Sequence, residues 1–344
     1  MNKYHLPPLC PEKAICPACG EGPAGHIGTH SQKERRYICH ECGKTFSDTV
    51  GTPLYGLKYP HWLVIAVLTL LAYGCPLQAI VAAFGIDERT VSHWHHKAGQ
   101  HAQKVQKALV GQQSLALGQV QADEMYLKTQ GGCGWIATGM SVFSRLIVGA
   151  EVSFHRNSEL VSQVVEQVHA ATKPHTALLW ATDGYSAWKS AILKRFRTPV
   201  HTGQRGRPRL VVWSKLHVVQ VVKRRVNRAI VSVERRLAHG THQAAEMLVA
   251  VSQTDLGAFN TAYIERFNAT LRTWLPAATR KSRTPARQLA KLRTAMWWTI
   301  AAYNFCRIHD TIHTAPAVAA GILEKPWTIE QLIRYKSTTV HATT

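Results

Sequence analysis

Apolar positions along the chain keep two periods, and alternating segments of the strand period begin near residue 115. Before it, residues 60–98 read as three short helices. Pro60 opens the first, Pro76 opens the second, and Gly85-Ile86-Asp87 makes a turn. Asp87 then caps a third helix over 88–97. Ile80, Phe84, Ile86, Val91 and Trp94 fall at the apolar positions of a helix-turn-helix, with Val81 where a smaller residue is usual. The exposed face of the third helix carries Arg89, Ser92, His93 and His96, the side chains that would enter a major groove. A plain helical packing module is the alternative. The uncharged run from Trp62 to Ile86 is long enough to span a bilayer, but Gly74-Cys75-Pro76, Gln78 and Gly85 break it. No membrane partner is expected.

Residues 100–114 read as a polar helical linker. Three alternating segments follow at 118–126, 134–141 and 146–154, with Gly131-Gly132 in the first turn. A helix at 158–171, a strand at 177–182 and a helix at 186–194 come next. GQRGRPR at 203–209 is a basic loop. The Val/Ile-rich runs 218–225 and 229–237 predict a hairpin inserted around 203–240 and turning at Asn227-Arg228; a single helix is the alternative. Asn260 or Thr261 then caps a helix in which Tyr263, Phe267, Leu271 and Trp274 recur at helical spacing. Thr284 caps and Pro285 opens a last long helix to about Asn304, with Trp297, Trp298 and Ile300 in the core.

Three carboxylates stand out against this pattern. Asp123 interrupts a strand, Asp183 ends one, and Glu265 sits on the helix after Thr261. A carboxylate beside a buried strand is costly unless compensated. A divalent cation compensates it, and phosphodiester chemistry uses cations held by shared carboxylates. Helix capping by Asp183 and an arginine partner for Asp123 are the plainer alternatives. Asn268 and Arg272 share a helix face with Glu265, where they would bind phosphates; an ordinary solvated face is the alternative. Glu124 should point to the opposite strand face from Asp123 and not act as a ligand.

Charge and cysteines add the partners. The 344 residues hold 41 Lys+Arg against 20 Asp+Glu, a formal charge of +21. That excess calls for a polyanion, and no basic amphipathic helix or lipidation motif suggests a membrane surface. Arg280, Lys281, Arg283 and Arg287 add a basic cluster, of which Lys281 and Arg283 are DNA-binding candidates. Arg205-Gly206-Arg207-Pro208 resembles an AT-hook core without its preceding proline; Arg205 and Arg207 would enter a narrow minor groove, or lie in a solvated loop. Cys16-Pro-Ala-Cys19 and Cys39-His-Glu-Cys42 are two knuckles of a four-thiolate site for one Zn²⁺, with Gly20 and Gly43 beside the sulfurs. Eight cysteines spaced as a metal site and not as a disulfide framework, with no signal-peptide run in MNKYHLPPLCPEK, predict a cytoplasmic setting.

DEMYL, ATDGYSAW and NTAYIERFNATLR resemble the three acidic motifs of DDE transposases of bacterial insertion sequences, the insertion sequence 1 type above all. CPACG with YICHECGKTFSDTVGTPLY resembles their zinc-ribbon start, and RTPARQLAKLRTAMWWTIAAYNFCRIHDT their C-terminal helix. The resemblance implies a multidomain α/β protein. A zinc ribbon would span 1–57, a helix-turn-helix domain and linker 58–114, and a ribonuclease-H-like catalytic domain 115–314, with the inserted hairpin, before a tail at 315–344. It implies that Asp123, Asp183 and Glu265 hold two ions of Mg²⁺ or Mn²⁺. The implied activity is cleavage at the terminal inverted repeats of an element and joining to target DNA. A homo-oligomer would bridge two double-stranded ends in a prokaryotic nucleoid. The alternative is a catalytically idle DNA-binding regulator or domesticated relative.

Overall fold

The computed structural model describes residues 9–20, 22, 26–201, 206–227, 229–252, 257–279 and 285–336. Three antiparallel strands come first: β1 (Ile27–Ser31), β2 (Arg36–Cys39) and β3 (Thr45–Ser47). Leu9, Ala14, Ile27, Tyr37 and Phe46 pack around Cys16 and Cys39. So small a core cannot offset the entropy of ordering the segment by itself.

Three helices follow: α1 (His61–Ala72), α2 (Leu77–Phe84) and α3 (Glu88–Gln106). Gly85 ends α2 in the left-handed conformation, φ 62°, which residues with a Cβ resist. Asp87 Oδ1 accepts from the Arg89 amide at 2.8 Å and caps α3. Ile80, Ile86, Val91 and Trp94 are buried as predicted, while Phe84 is exposed. The third helix does not stop at Lys97. It runs on to Gln106 and closes in a π turn over Lys107–Gly111. The expected polar linker is therefore a packed helix, with Ala98, Ala102, Val105 and Gln106 buried. Gly99 is the physical reason. A Cβ there would lie 2.1 Å from the Thr294 carbonyl oxygen, so bare backbone lets α3 cross the helix Leu289–Ala301 in direct contact.

The chain then builds β4 (Gly118–Thr129), β5 (Gly132–Ser141), β6 (Ile147–Ser153), α4 (Ser158–Ala171), β7 (Leu178–Thr182) and α5 (Ser186–Arg195). A small pair, β8 (Arg197–Val200) and β9 (Arg209–Val212), precedes the hairpin of β10 (Leu216–Val226) and β11 (Ala229–His239). Helices α6 (His242–Ser252), α7 (Ala262–Trp274), α8 (Leu289–Ala301), α9 (Pro316–Ala319) and α10 (Ile329–Arg334) complete it. The six-stranded sheet has the order β11-β10-β7-β4-β5-β6. Strand β5 is antiparallel to β4 and β6, whereas β7 is parallel to β4 and β10. The fold is mixed α/β.

Two expectations change here. The hairpin exists, but it is not an insertion beside the sheet: β10 residues 216–220 pair in parallel with β7, and Leu216, Val218 and Val219 are buried. Helix α8 starts at Leu289, not Pro285. Ala286 bridges to Thr129 and its carbonyl accepts from the Gln130 amide at 3.0 Å, which holds that stretch extended. Trp297, Trp298 and Ile300 are buried. Among the described residues no helix is long and apolar enough to cross a membrane.

Candidate metal centres

The N-terminal strands gather four sulfurs. Cys16 Sγ lies 3.6 Å from Cys42 Sγ, and Cys19 Sγ lies 3.6 Å from Cys39 Sγ. Tetrahedral zinc with bonds of about 2.3 Å would space its sulfurs about 3.8 Å apart, so the set fits that ion. The two knuckles turn at Gly20 (φ 76°) and Gly43 (φ 67°), whose amides donate to the Cys16 and Cys39 carbonyls. Burial pushes the Cys16 thiol up, but the Ala18 and Cys19 amides and the neighbouring sulfurs outweigh it and bring it down to about 7. A thiol so poised loses its proton readily to a metal.

The second cluster is built on β4. Successive side chains of a strand point to opposite faces. Gln119, Gln121 and Asp123 therefore face α6 and α7, while Glu124 faces α5. Each of the first three is tied to that layer. Ser252 Oγ on α6 donates to Gln119 Oε1 at 2.5 Å. Gln121 Oε1 accepts from the Tyr263 and Ile264 amides, at 3.0 and 3.1 Å. Those amides belong to the first turn of α7 and have no partner within the helix. Thr261, the N-cap, gives no side-chain cap bond; Asn260 Oδ1 accepts from the Ala262 amide at 2.9 Å. A strand glutamine and Asn260 thus set where α7 begins, and with it Glu265.

Asn268 Nδ2 donates to Asp123 Oδ2 at 2.9 Å. Asp183 directly follows β7, the parallel neighbour of β4, and its Oδ1 accepts from the Tyr185 amide at 2.9 Å. One carboxylate oxygen each from Asp123, Glu124 and Asp183 lies within 4.8 Å of the others. Burial, reinforced by Glu124, Asp183 and Glu265, raises the Asp123 carboxyl to about 7. Hard oxygen donors that hold back a proton in this way fit a divalent cation, which would relieve their repulsion. The cluster could hold such an ion.

Glu124 corrects the reading of it as a bystander. It does face the other side of β4, where Trp188 Nε1 on α5 donates to Oε2 at 2.8 Å. Its long side chain nevertheless brings an oxygen back to the cluster. Arg156 Nε donates to Glu124 Oε1 at 2.6 Å, and Arg156 Nη2 reaches Asp183 Oδ2 at 3.5 Å. The guanidinium also stacks 4.4 Å from the Tyr185 ring. Glu265 stands apart from the three. Thr261 Oγ1 donates to its Oε1 at 2.6 Å, and Lys223 of β10 forms an ion pair with it.

The described residues among the expected DNA contacts lie on α3, on α7 and before β9. Arg89 and His93 are exposed on α3 and Ser92 is half-buried. His96 differs: its Nδ1 pairs with Thr294 Oγ1 at 3.0 Å, because α8 crosses α3 there. Asn268 is buried and its amide is committed to Asp123, so it positions a carboxylate and does not face solvent phosphate. Arg272 is half-buried on α7, and Arg207 is exposed before β9. Arg205, Lys281 and Arg283 lie outside the described residues.

Gln121, Arg156, Trp188 and Lys223 were not anticipated. Only Arg156 carried a local signal, an arginine between a strand end and the N-cap Asn157. No protein-family model matches the chain, and no curated protein does either.

Proposed function

We propose that the chain is a metal-dependent DNA-strand-cleaving and strand-transferring enzyme, a DDE transposase of the insertion sequence 1 type. The observation that carries this reading is the meeting of Asp123 and Asp183 at adjacent parallel strands, braced from α7, the helix of Glu265. The antiparallel β4-β5-β6 followed by parallel β7 and β10 supports a ribonuclease-H-like catalytic unit. The formal charge of +21 supports a nucleic-acid partner.

In this reading Asp123 and Asp183 are cation ligands, and Glu265 completes the set once Lys223 releases it. Asn268 fixes the Asp123 carboxylate. Arg156 neutralises Glu124 and holds Asp183, so that the excess negative charge faces the cation position. A bound divalent cation would activate water or a 3′-hydroxyl and stabilise the leaving oxygen. The four-cysteine unit and α2–α3, with Arg89 at the start of α3, would hold the element ends. Mg²⁺ or Mn²⁺ and one structural Zn²⁺ are the cofactors, and a homo-oligomer bridges two ends.

The test is incubation of the protein with a labelled duplex taken from the DNA flanking its gene. Mg²⁺-dependent release of a strand ending in a 3′-hydroxyl supports the reading. Tight binding of that duplex without release would make the chain a regulator instead.

A further inference from the structure

A recess of about 40 Å³ lies between the β5–β6 turn, α7 and the segment after α8. That is room for a group larger than one water. Its polar lining includes Arg145, Tyr263, Arg266, Tyr303 and His309, with Thr270 and Thr311. No carboxylate lines it; Asp310, next to His309 in the chain, is exposed. None of these side chains belongs to either metal cluster.

The lining is costly as it stands. Arg145 is buried, with 6% of its surface exposed. A buried guanidinium is rare without a counter-charge, because the protein must replace the water that solvated it. Among the described residues neither Arg145 nor Arg266 forms an ion pair. Arg145 donates to the Val142 carbonyl and lies 3.8 Å over the Tyr263 ring. Arg266 approaches the same ring at 5.9 Å. Two cations thus share one aromatic ring, which offers only part of what an anion would. Arg145 also holds a left-handed backbone, φ 61°, a conformation that disfavours a Cβ and clusters at ligand sites. The buried Tyr263 hydroxyl lies beside the Arg145 guanidinium, and its own proton meets no acceptor among the described residues. Burial, with Arg145, Arg307 and Arg266 nearby and only the exposed Asp310 opposing them, keeps His309 below its ordinary range.

We propose that this recess is a phosphate-binding site, with Arg145 and Arg266 as the charged donors and Tyr263 Oη as a neutral one. Guanidinium forks match tetrahedral oxyanions, and the charge of a phosphate would offset the cost of gathering them. The phosphate is either a free ion or a phosphodiester of bound DNA. The site does not depend on the carboxylate cluster or on strand cleavage.

The experiment uses the full chain, Arg266→Ala and Lys291→Ala. Arg266 is exposed enough for its variant to fold, and Lys291 is an exposed cation on α8 outside the recess. Inorganic phosphate is titrated by calorimetry, and the affinity for a random duplex is followed against salt. Saturable uptake of one phosphate per chain supports a free-phosphate site if Arg266→Ala weakens it on the order of tenfold or more and Lys291→Ala does not. No uptake of phosphate, with a salt slope shallower by about one in Arg266→Ala alone, supports a DNA phosphodiester at the site. Phosphate uptake unchanged in Arg266→Ala, or no uptake together with equal salt slopes in the two variants, overturns the proposal.

Discussion

Asn268 on α7 and Asp123 on β4 are joined by one hydrogen bond, Nδ2 to Oδ2 at 2.9 Å. Asn268 is buried, and its own oxygen is 3.4 Å from Thr138 Oγ1 on β5. One amide therefore ties the glutamate-bearing helix to the strand of the first aspartate. Asn268→Ala leaves Asp123 without this donor and should cost about 1–3 kcal/mol. Urea unfolding measures it; an unchanged midpoint and slope would mean the bond contributes nothing to stability.

The four sulfurs predict one zinc per chain. Elemental analysis should find it in the purified protein and find it lost in Cys16→Ser and Cys39→Ser. Chelation should unfold β1–β3 and spare the six-stranded sheet, since the metal stabilises only the small cysteine core. Hydrogen exchange by region separates the two; full zinc content in both variants would exclude this donor set.

Asp123 gives cation binding a pH dependence. Its carboxyl is raised to about 7 by burial, with Glu124, Asp183 and Glu265 adding to it. Below that value a proton must leave before a cation enters, so Mg²⁺ affinity should rise with pH up to about 7 and then level off. Calorimetry in buffers of different ionisation enthalpy reads the released proton. Equal affinity at pH 5.5 and 8 would contradict it.

The strands, the helices flanking Asp183 and the turn at Asn227 were legible because period and turn residues are local signals. What escaped depends on long-range partners. Asn260 serves the first amide of α7, but the next two are capped by Gln121, far away in the chain, and nothing in AYIERF announces it. The convergence of Glu124 was hidden because strand alternation gives the direction of a Cβ and not the reach of a long side chain. The hairpin looked inserted because a buried run pairs wherever the topology offers an edge, here β7. The α3 continuation rested on one glycine whose meaning appears only when α8 crosses it.

His101 makes the fold acid-sensitive. It is buried, and its Nε2 lies 3.0 Å from the Leu332 carbonyl oxygen. Burial lowers it to about 4, with the Leu332 bond opposing and Lys104 adding. The unfolded chain, near the ordinary 6.5, binds the proton first. Stability from this group is thus fully present above pH 6.5 and is lost as pH falls toward 4, by up to about 3 kcal/mol. His101→Gln keeps a donor and removes the titration, so it should flatten that part of the stability profile. Parallel profiles for the two proteins would contradict the assignment.

The central claim is that Asp123, Asp183 and Glu265 act together on a cation at a scissile phosphate. The direct measurement is the rate of labelled strand release from an element-end duplex in Mg²⁺, with DNA affinity and circular dichroism followed alongside. Asp123→Asn, Asp183→Asn and Glu265→Gln should each fall to the level seen in EDTA while still binding the duplex. Glu124→Gln should lose far less, since the Glu124 oxygens already serve Arg156 and Trp188 although one of them joins the cluster. Near-normal release by Glu265→Gln would contradict the three-carboxylate site.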